Sequence, residues 1–202
     1  MHNSFILDNE TKYNLAKIMC YQLLRTKKSR EFQFEIGKRT ADNVLKEVRN
    51  QFEGLLSDDH IAYLDNFIYD ESLYKSICLP IINEEDRINR FVDVLLGRYW
   101  IVYKNINYRT NPIITSDHPV FYYNILTRET DFSNNGLGRS HTAIFFPINR
   151  ELIIGLYTKD MYFNKMIELN NRMLIIDDVP FVMRLNRIQY EQCYRQAYFS
   201  FS

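Results

Sequence analysis

The stretch Asn111–Asn124, NPIITSDHPVFYYN, sets two short apolar runs, Ile113-Ile114 and Val120–Tyr123, around a polar knot of Thr115, Ser116, Asp117 and His118. β-branched and aromatic runs flanking turn residues read as strand, turn, strand, with the knot carried by the turn. Pro119 biases His118 toward extended backbone, and Ser116-Asp117 reads as a turn or bulge. Neighbours on an extended strand point to opposite faces, so Asp117 and His118 can share a pocket only if the chain turns there.

Further strand-like runs surround this stretch. Tyr99–Tyr103 (YWIVY), Thr142–Phe146 and Leu152–Tyr157 are β-branched and aromatic over strand lengths. Asn134–Gly138 is a turn signal, and Pro147–Arg150 is a connector of hairpin length. Spacing this short favours an antiparallel meander over parallel strands, which need long crossovers. Met161–Asn170 fits helix or strand, and Met173–Ile176 reads as a strand. Asp177-Asp178-Val179-Pro180 then starts a helix to about Gln196, with acids at the positive end of the dipole and Pro near its first position. Its stripe, Val182, Asn186, Gln189, Cys193 and Ala197, is apolar at the ends and amide in the middle. Tyr198–Phe201 adds a final strand.

Upstream of Gly97 the period is helical. Residues 8–28 form an amphipathic helix with Asp8 as N-cap and Leu15, Ile18, Met19, Gln22 and Leu23 on the buried stripe. Ser29–Leu56 reads as a second helix, broken at Gly37. Ser57 or Asp58 caps a third helix carrying Ile61, Leu64, Phe67 and Ile68, and a fourth carries Ile88, Phe91, Val92, Leu95 and Leu96. The fold expected is α+β: a helical half over 8–97 packed on a small, mainly antiparallel sheet, closed by a C-terminal helix within 98–202, all in one domain.

The chain has 202 residues, 46% hydrophobic and 15% aromatic, which is ample for a core. Lys plus Arg and Asp plus Glu both number 25, so net charge is zero and nucleic acid is not favoured, although a local patch can suffice. Cys20, Cys78 and Cys193 are odd in number and widely spaced, as free thiols in a reducing compartment are. No apolar run approaches the roughly 20 residues that span a bilayer, and the first residues lack a signal-peptide pattern. The expected location is cytoplasmic, without a membrane. Plentiful Ile, Asn, Lys and Tyr with little Ala suggest an AT-rich bacterial or phage genome, and phage defence as a context.

Asp117 is the leading candidate for chemistry, as base, acceptor or ligand at a strand end. The alternative is that Thr115, Ser116 and Asp117 bond local backbone, as short polar side chains do in turns. His118 and His141 could join Asp117 in a two-histidine, one-carboxylate set, but no HxH, HxxxH or HExxH spacing supports a metal. Gly136–Ser140 could cradle a phosphate with Arg139, although a hairpin turn explains it as well. Asn186 and Gln189 lie on the buried stripe of the last helix and need partners there. Arg25, at the end of the first helix, either stabilises the helix terminus or turns inward to hold an anion.

The segments LLRT (Leu23–Thr26), PIITSDHPV (Pro112–Val120), FFPINRELIIGL (Phe145–Leu156) and RLNRIQYEQCYRQAYFS (Arg184–Ser200) together resemble the bacterial domain-of-unknown-function family 4238. Arg25, Asp117, Pro119, Pro147 and Asn186 occupy the positions of that family's pattern. His118 stands where the family usually has Asn, and Cys193 near a small-residue position. The family's His-Tyr-Val-Pro opening is absent, which implies a short relative or a piece of a longer chain. The resemblance implies a shared fold and a polar cluster of Arg25, Asp117 and Asn186, and carries no activity with it.

Two readings follow. The leading one is an intracellular bacterial or phage protein with an enzyme-like pocket, which uses Arg25, Asp117 and Asn186 on a polar or anionic substrate, with His118, Gln189 and Ser116 binding it. In the other, a binding or regulatory module for a small molecule or protein partner uses the cluster as a structural lock. No cofactor is indicated.

Overall fold

In the computed structural model the first helix, α1 (Asn9–Arg25), begins where Asp8 predicts, its carboxylate accepting the Thr11 N–H at 2.6 Å. The structure describes residues 7–82, 85–128, 130, 138–159 and 164–198, without the side chains of 28, 77–82 and 164–166. The chain divides into two compact units, Met1–Thr26 with Ile88–Ser202, and Lys27–Arg87.

The buried stripe of α1 is Ala16, Met19, Cys20 and Leu23, while Ile18 is exposed. The stripe is therefore turned a little from the one expected: Met19 and Leu23 are shared, and Leu15 packs half-buried against the core. Small residues at 16 and 20 let a helix lie close to its neighbour, a gain that hydrophobicity alone does not register.

In the 27–87 unit, α2 (Lys27–Gln51) runs unbroken through Gly37. A Cβ at Gly37 would lie 2.2 Å from the Tyr69 hydroxyl, so this glycine makes room for a ring and does not interrupt the helix. Ser57 caps α3 (Asp58–Asp65), accepting the His60 N–H. That helix stops before Phe67 and Ile68. A helix not expected from the sequence follows: α4 (Glu71–Ile82) starts at Asp70, whose side chain accepts the Leu73 N–H at 2.8 Å, and it contains Pro80.

From Ile88 onward α5 (Glu85–Leu96) belongs to the other unit, and it turns at Gly97 into β1 (Tyr99–Asn105). β2 (Thr115–Ser116), β3 (Phe121–Asn124), β4 (Thr142–Pro147), β5 (Leu152–Tyr157), α6 (Asn164–Leu169), β6 (Arg172–Ile176), α7 (Val179–Gln192) and β7 (Ala197–Tyr198) complete the chain. Ile113-Ile114, expected as a strand, precedes the short β2 and is not part of it.

The main sheet has the order β3-β4-β5-β1-β6. Its pairings are antiparallel except that β6 lies parallel to β1, with Ile101 opposite Arg172. The arrangement is thus α+β with a mainly antiparallel sheet, and β6 departs from a pure meander. β2 and β7 form a separate antiparallel pair, Thr115 opposite Tyr198 and Ser116 opposite Ala197.

The sheet is covered on both faces. Trp100, Val102, Ile144, Phe146, Ile154 and Leu156 pack with α1 and α5. Ile101, Tyr103, Ala143, Phe145, Ile153 and Tyr157 pack with Val182, Leu185 and Ile188 of α7. Burial on both sides explains why these strands read as unbroken apolar runs and not as alternating ones. α7 starts at Asp178, whose side chain accepts the Phe181 N–H, with Pro in the first turn. It ends at Gln192, earlier than expected, where Cys193 takes extended backbone.

Candidate functional site

Three amides, at 186, 189 and 192, recur at three-residue steps along the inner side of α7, and each faces the segment Pro112–Tyr122. Asn186 donates from Nδ2 to the Pro112 carbonyl at 2.8 Å and accepts the Ile114 N–H on Oδ1 at 3.0 Å. Gln189, fully buried, donates from Nε2 to the Ser116 hydroxyl and to the His118 carbonyl, the latter at 2.9 Å. Gln192, also buried, accepts the Tyr122 N–H on Oε1 at 3.0 Å and donates to the Tyr122 carbonyl. Asn186 and Gln192 thus each offer the extended backbone a donor and an acceptor, as a neighbouring strand would.

The chain beyond α7 continues the grip. The Asp117 carboxylate accepts the Tyr194 N–H on Oδ1 at 3.0 Å and the Arg195 N–H on Oδ2 at 2.9 Å. The Asp117 N–H donates to the Gln196 carbonyl at 3.0 Å. The β2–β7 pairing then carries the contact to Tyr198. Residues 112–122 are held by side chains or backbone of 186–198 along most of their length.

His118 faces away from this contact. Its N–H donates to the Ser116 hydroxyl at 3.0 Å, which closes the tight turn. Its buried ring places Nδ1 3.0 Å from the Thr26 hydroxyl, at the end of α1. The Thr26 hydroxyl also donates to the Leu23 carbonyl at 3.2 Å. Asp117 and His118 therefore serve different neighbours, as their alternation along an extended chain requires.

Of the six candidate residues, Asp117, Asn186, Ser116, Gln189 and His118 belong to one hydrogen-bonded assembly. Arg25 does not join it. Its guanidinium is on the exposed side of α1, bonded to Gln22 Oε1 at 3.0 Å. The end of α1 reaches the knot through Thr26 instead. Thr26 and Gln192 are the participants that sequence reasoning passed over. The three-residue step from Asn186 through Gln189 points to Gln192, whereas nothing local distinguishes Thr26.

His141 sits in a separate turn with φ 61°, its N–H donating to Thr158 Oγ1 at 3.3 Å. Among the described residues it does not combine with Asp117 and His118 into a metal-ligand set. Residues 136–137 of the suggested phosphate loop lie outside the described residues.

A carboxylate whose two oxygens each accept a backbone N–H, next to amides engaged with backbone groups, is arranged to hold chain segments together. A cleft of about 540 Å³ lies in the 27–87 unit, between α2 and α4. Phe34 and Tyr74 meet edge to face there, 5.7 Å apart, and Lys27, Arg30 and Lys75 are matched by Glu31, Glu35 and Glu71. Such a rim selects no ligand charge.

The model of the family described as protein of unknown function (DUF4238) matches residues 1–202. The chain belongs to this family. No curated protein and no solved structure matches it. Family membership brings no activity with it, so the functional reading rests on the geometry. Among the described residues no helix is long and apolar enough to cross a membrane.

Proposed function

We propose that this chain is a binding or regulatory module of an intracellular bacterial or phage protein, in which the polar cluster is a structural clasp and not a catalytic pocket. One observation carries the reading: both oxygens of Asp117 accept backbone N–H groups, from Tyr194 and Arg195. A general base needs an oxygen aimed at a substrate proton, and here each oxygen already accepts a backbone N–H of the chain itself. The amides of Asn186 and Gln192 support the same reading, because their partners are main-chain groups of 112–122.

The test compares melting temperatures of Asp117→Ala and Asn186→Ala with the parent. Each substitution removes two bonds to backbone groups. Loss of such partners costs about 1–3 kcal/mol, which lowers the melting temperature by roughly 2–12 °C in a chain of this size. If both variants melt like the parent, the clasp is wrong. If Asp117→Ala stays fully stable and yet abolishes the protein's biological effect, the enzyme reading replaces it.

A further inference from the structure

The two edges of the main sheet are finished differently. At the β3 edge the outward backbone groups are in use: Gln192 bonds the N–H and carbonyl of Tyr122, and the Asn124 carbonyl accepts the Arg128 N–H at 2.9 Å. At the β6 edge they are open. The Ile176 carbonyl accepts the Ile106 N–H at 3.2 Å, so residues 172, 174 and 176 address β1, while Met173 and Ile175 turn their N–H and carbonyl groups outward. Among the described residues nothing bonds those outward groups. Edge strands are ordinarily protected by a charge, a proline, a bulge or a cover, because bare ones pair with other strands. From Met173 to Ile176 there is no charge and no proline, the pairing with β1 runs without a bulge, and Ile175 is 49% exposed.

The strand that is always present at this chain's own concentration is β6 of a second copy. An edge reserved for a foreign peptide needs a device against that pairing, and β6 carries none. A two-fold axis through Leu174 makes the strand complementary to itself. Leu174 then faces its own copy and Met173 faces Ile175, so every outward N–H and carbonyl of both strands finds a partner. Both faces of the sheet continue across the axis, because Met173 lies in the layer with α1 and α5, and Leu174 and Ile176 in the layer with α7. Arg172 is exposed and has no carboxylate partner among the described residues. In this register it faces Ile176 of the second copy, next to the exposed acid Asp177.

We propose that β6 pairs antiparallel with β6 of a second copy of this chain, joining the two main sheets into one. The outward groups of Tyr122 and Asn124 on β3 are already bonded, so addition stops at two copies and gives a closed, two-fold dimer. An edge-to-edge interface open at both ends of the sheet would instead grow into a fibre. The proposal goes beyond the clasp reading and does not depend on it.

The test is equilibrium sedimentation of the full chain from about 1 to 100 μM, the range in which micromolar association shows. The average mass is expected to rise from one chain toward two and to stop there. Ile175→Lys places a charge on the bare edge at an exposed side chain. Ile175→Pro removes an outward N–H that β1 does not use, as edge strands tolerate. Each variant should weaken the dimer about tenfold or more. At dilutions where the parent is a single chain, Ile175→Lys should melt like it. Leu174→Cys should give a disulfide-linked dimer on mild oxidation, because facing residues at such a position lie about 4.5 Å apart between Cα atoms, within disulfide reach. A parent that stays one chain over the whole range overturns the proposal. So does a dimer that both Ile175 variants leave intact, a dimer in which Leu174→Cys does not link, or a mass that grows past two copies.

Discussion

Replacing Gln192 by Ala tests the clasp where it is most deeply buried. The side chain is 3% exposed and makes two bonds to Tyr122, one to its N–H and one to its carbonyl. Both bonds vanish at once in the Ala variant. Counting about 1.5 kcal/mol for each backbone group deprived of its partner, the loss is about 3 kcal/mol. At roughly 2–4 °C per kcal/mol for this chain length, the melting temperature should fall by about 6–12 °C. Trp100 is a suitable reporter, being the single tryptophan, buried, and part of the same unit as α7. Gln192→Leu refills most of the volume without restoring either bond, so it should recover little of the loss. If Gln192→Ala melts within about 1 °C of the parent, against the 6–12 °C expected, the bonds to Tyr122 contribute nothing net and the reasoning fails. If only the Leu variant recovers fully, volume and not hydrogen bonding is what the site needs.

Two other outcomes follow from the core. A Cβ on Gly155 would meet Tyr103 at 2.9 Å, Tyr157 at 3.1 Å and Phe145 at 3.2 Å, so Gly155→Ala should destabilise by about 1–3 kcal/mol through overpacking, read as a lower denaturant midpoint. A midpoint equal to or above the parent's would show that the rings can give way. Burial pushes the Cys20 thiol and the Tyr103 hydroxyl up to about 12, from ordinary values of 9.0 and 10.0. The folded chain therefore holds protons that the unfolded chain releases, so the stability from these groups is complete below about pH 9 and is lost as pH rises toward 12. Trp100 fluorescence under constant denaturant should show unfolding advancing through that window, and a signal that stays flat to pH 12 would contradict it.

Much of the fold could be read from residue order because the sheet is enclosed on both faces. YWIVY and LIIGLY are apolar without alternation, and that pattern survives any choice of neighbour. The start of α7 was equally plain, since Asp178 and Pro180 act within one turn. The parallel partnership of β6 with β1 was not, because an apolar strand carries no mark of the direction its neighbour runs. α4 was missed, although Asp70 supplies an ordinary helix start and the helix runs through Pro80. At the site, Asn186 and Gln189 were legible from the helical period, since a buried amide must find partners. Gln192 was displaced in the reading by Cys193, which lies past the helix end. Thr26 could not be found, because its role depends on His118, 92 positions away.

The side chain that covers the edge of β3 lies 70 residues downstream of it, on Gln192. A ribosome adding about 5–20 residues per second takes roughly 4–14 s to cover that distance. Throughout that interval the nascent chain presents Tyr122 to the cell with its outer N–H and carbonyl uncovered by Gln192, next to the apolar Phe121. An unguarded strand margin of this kind recruits other strands. Aggregation in expression should therefore track translation speed across residues 123–192, and slower codons there should lower the yield of folded protein.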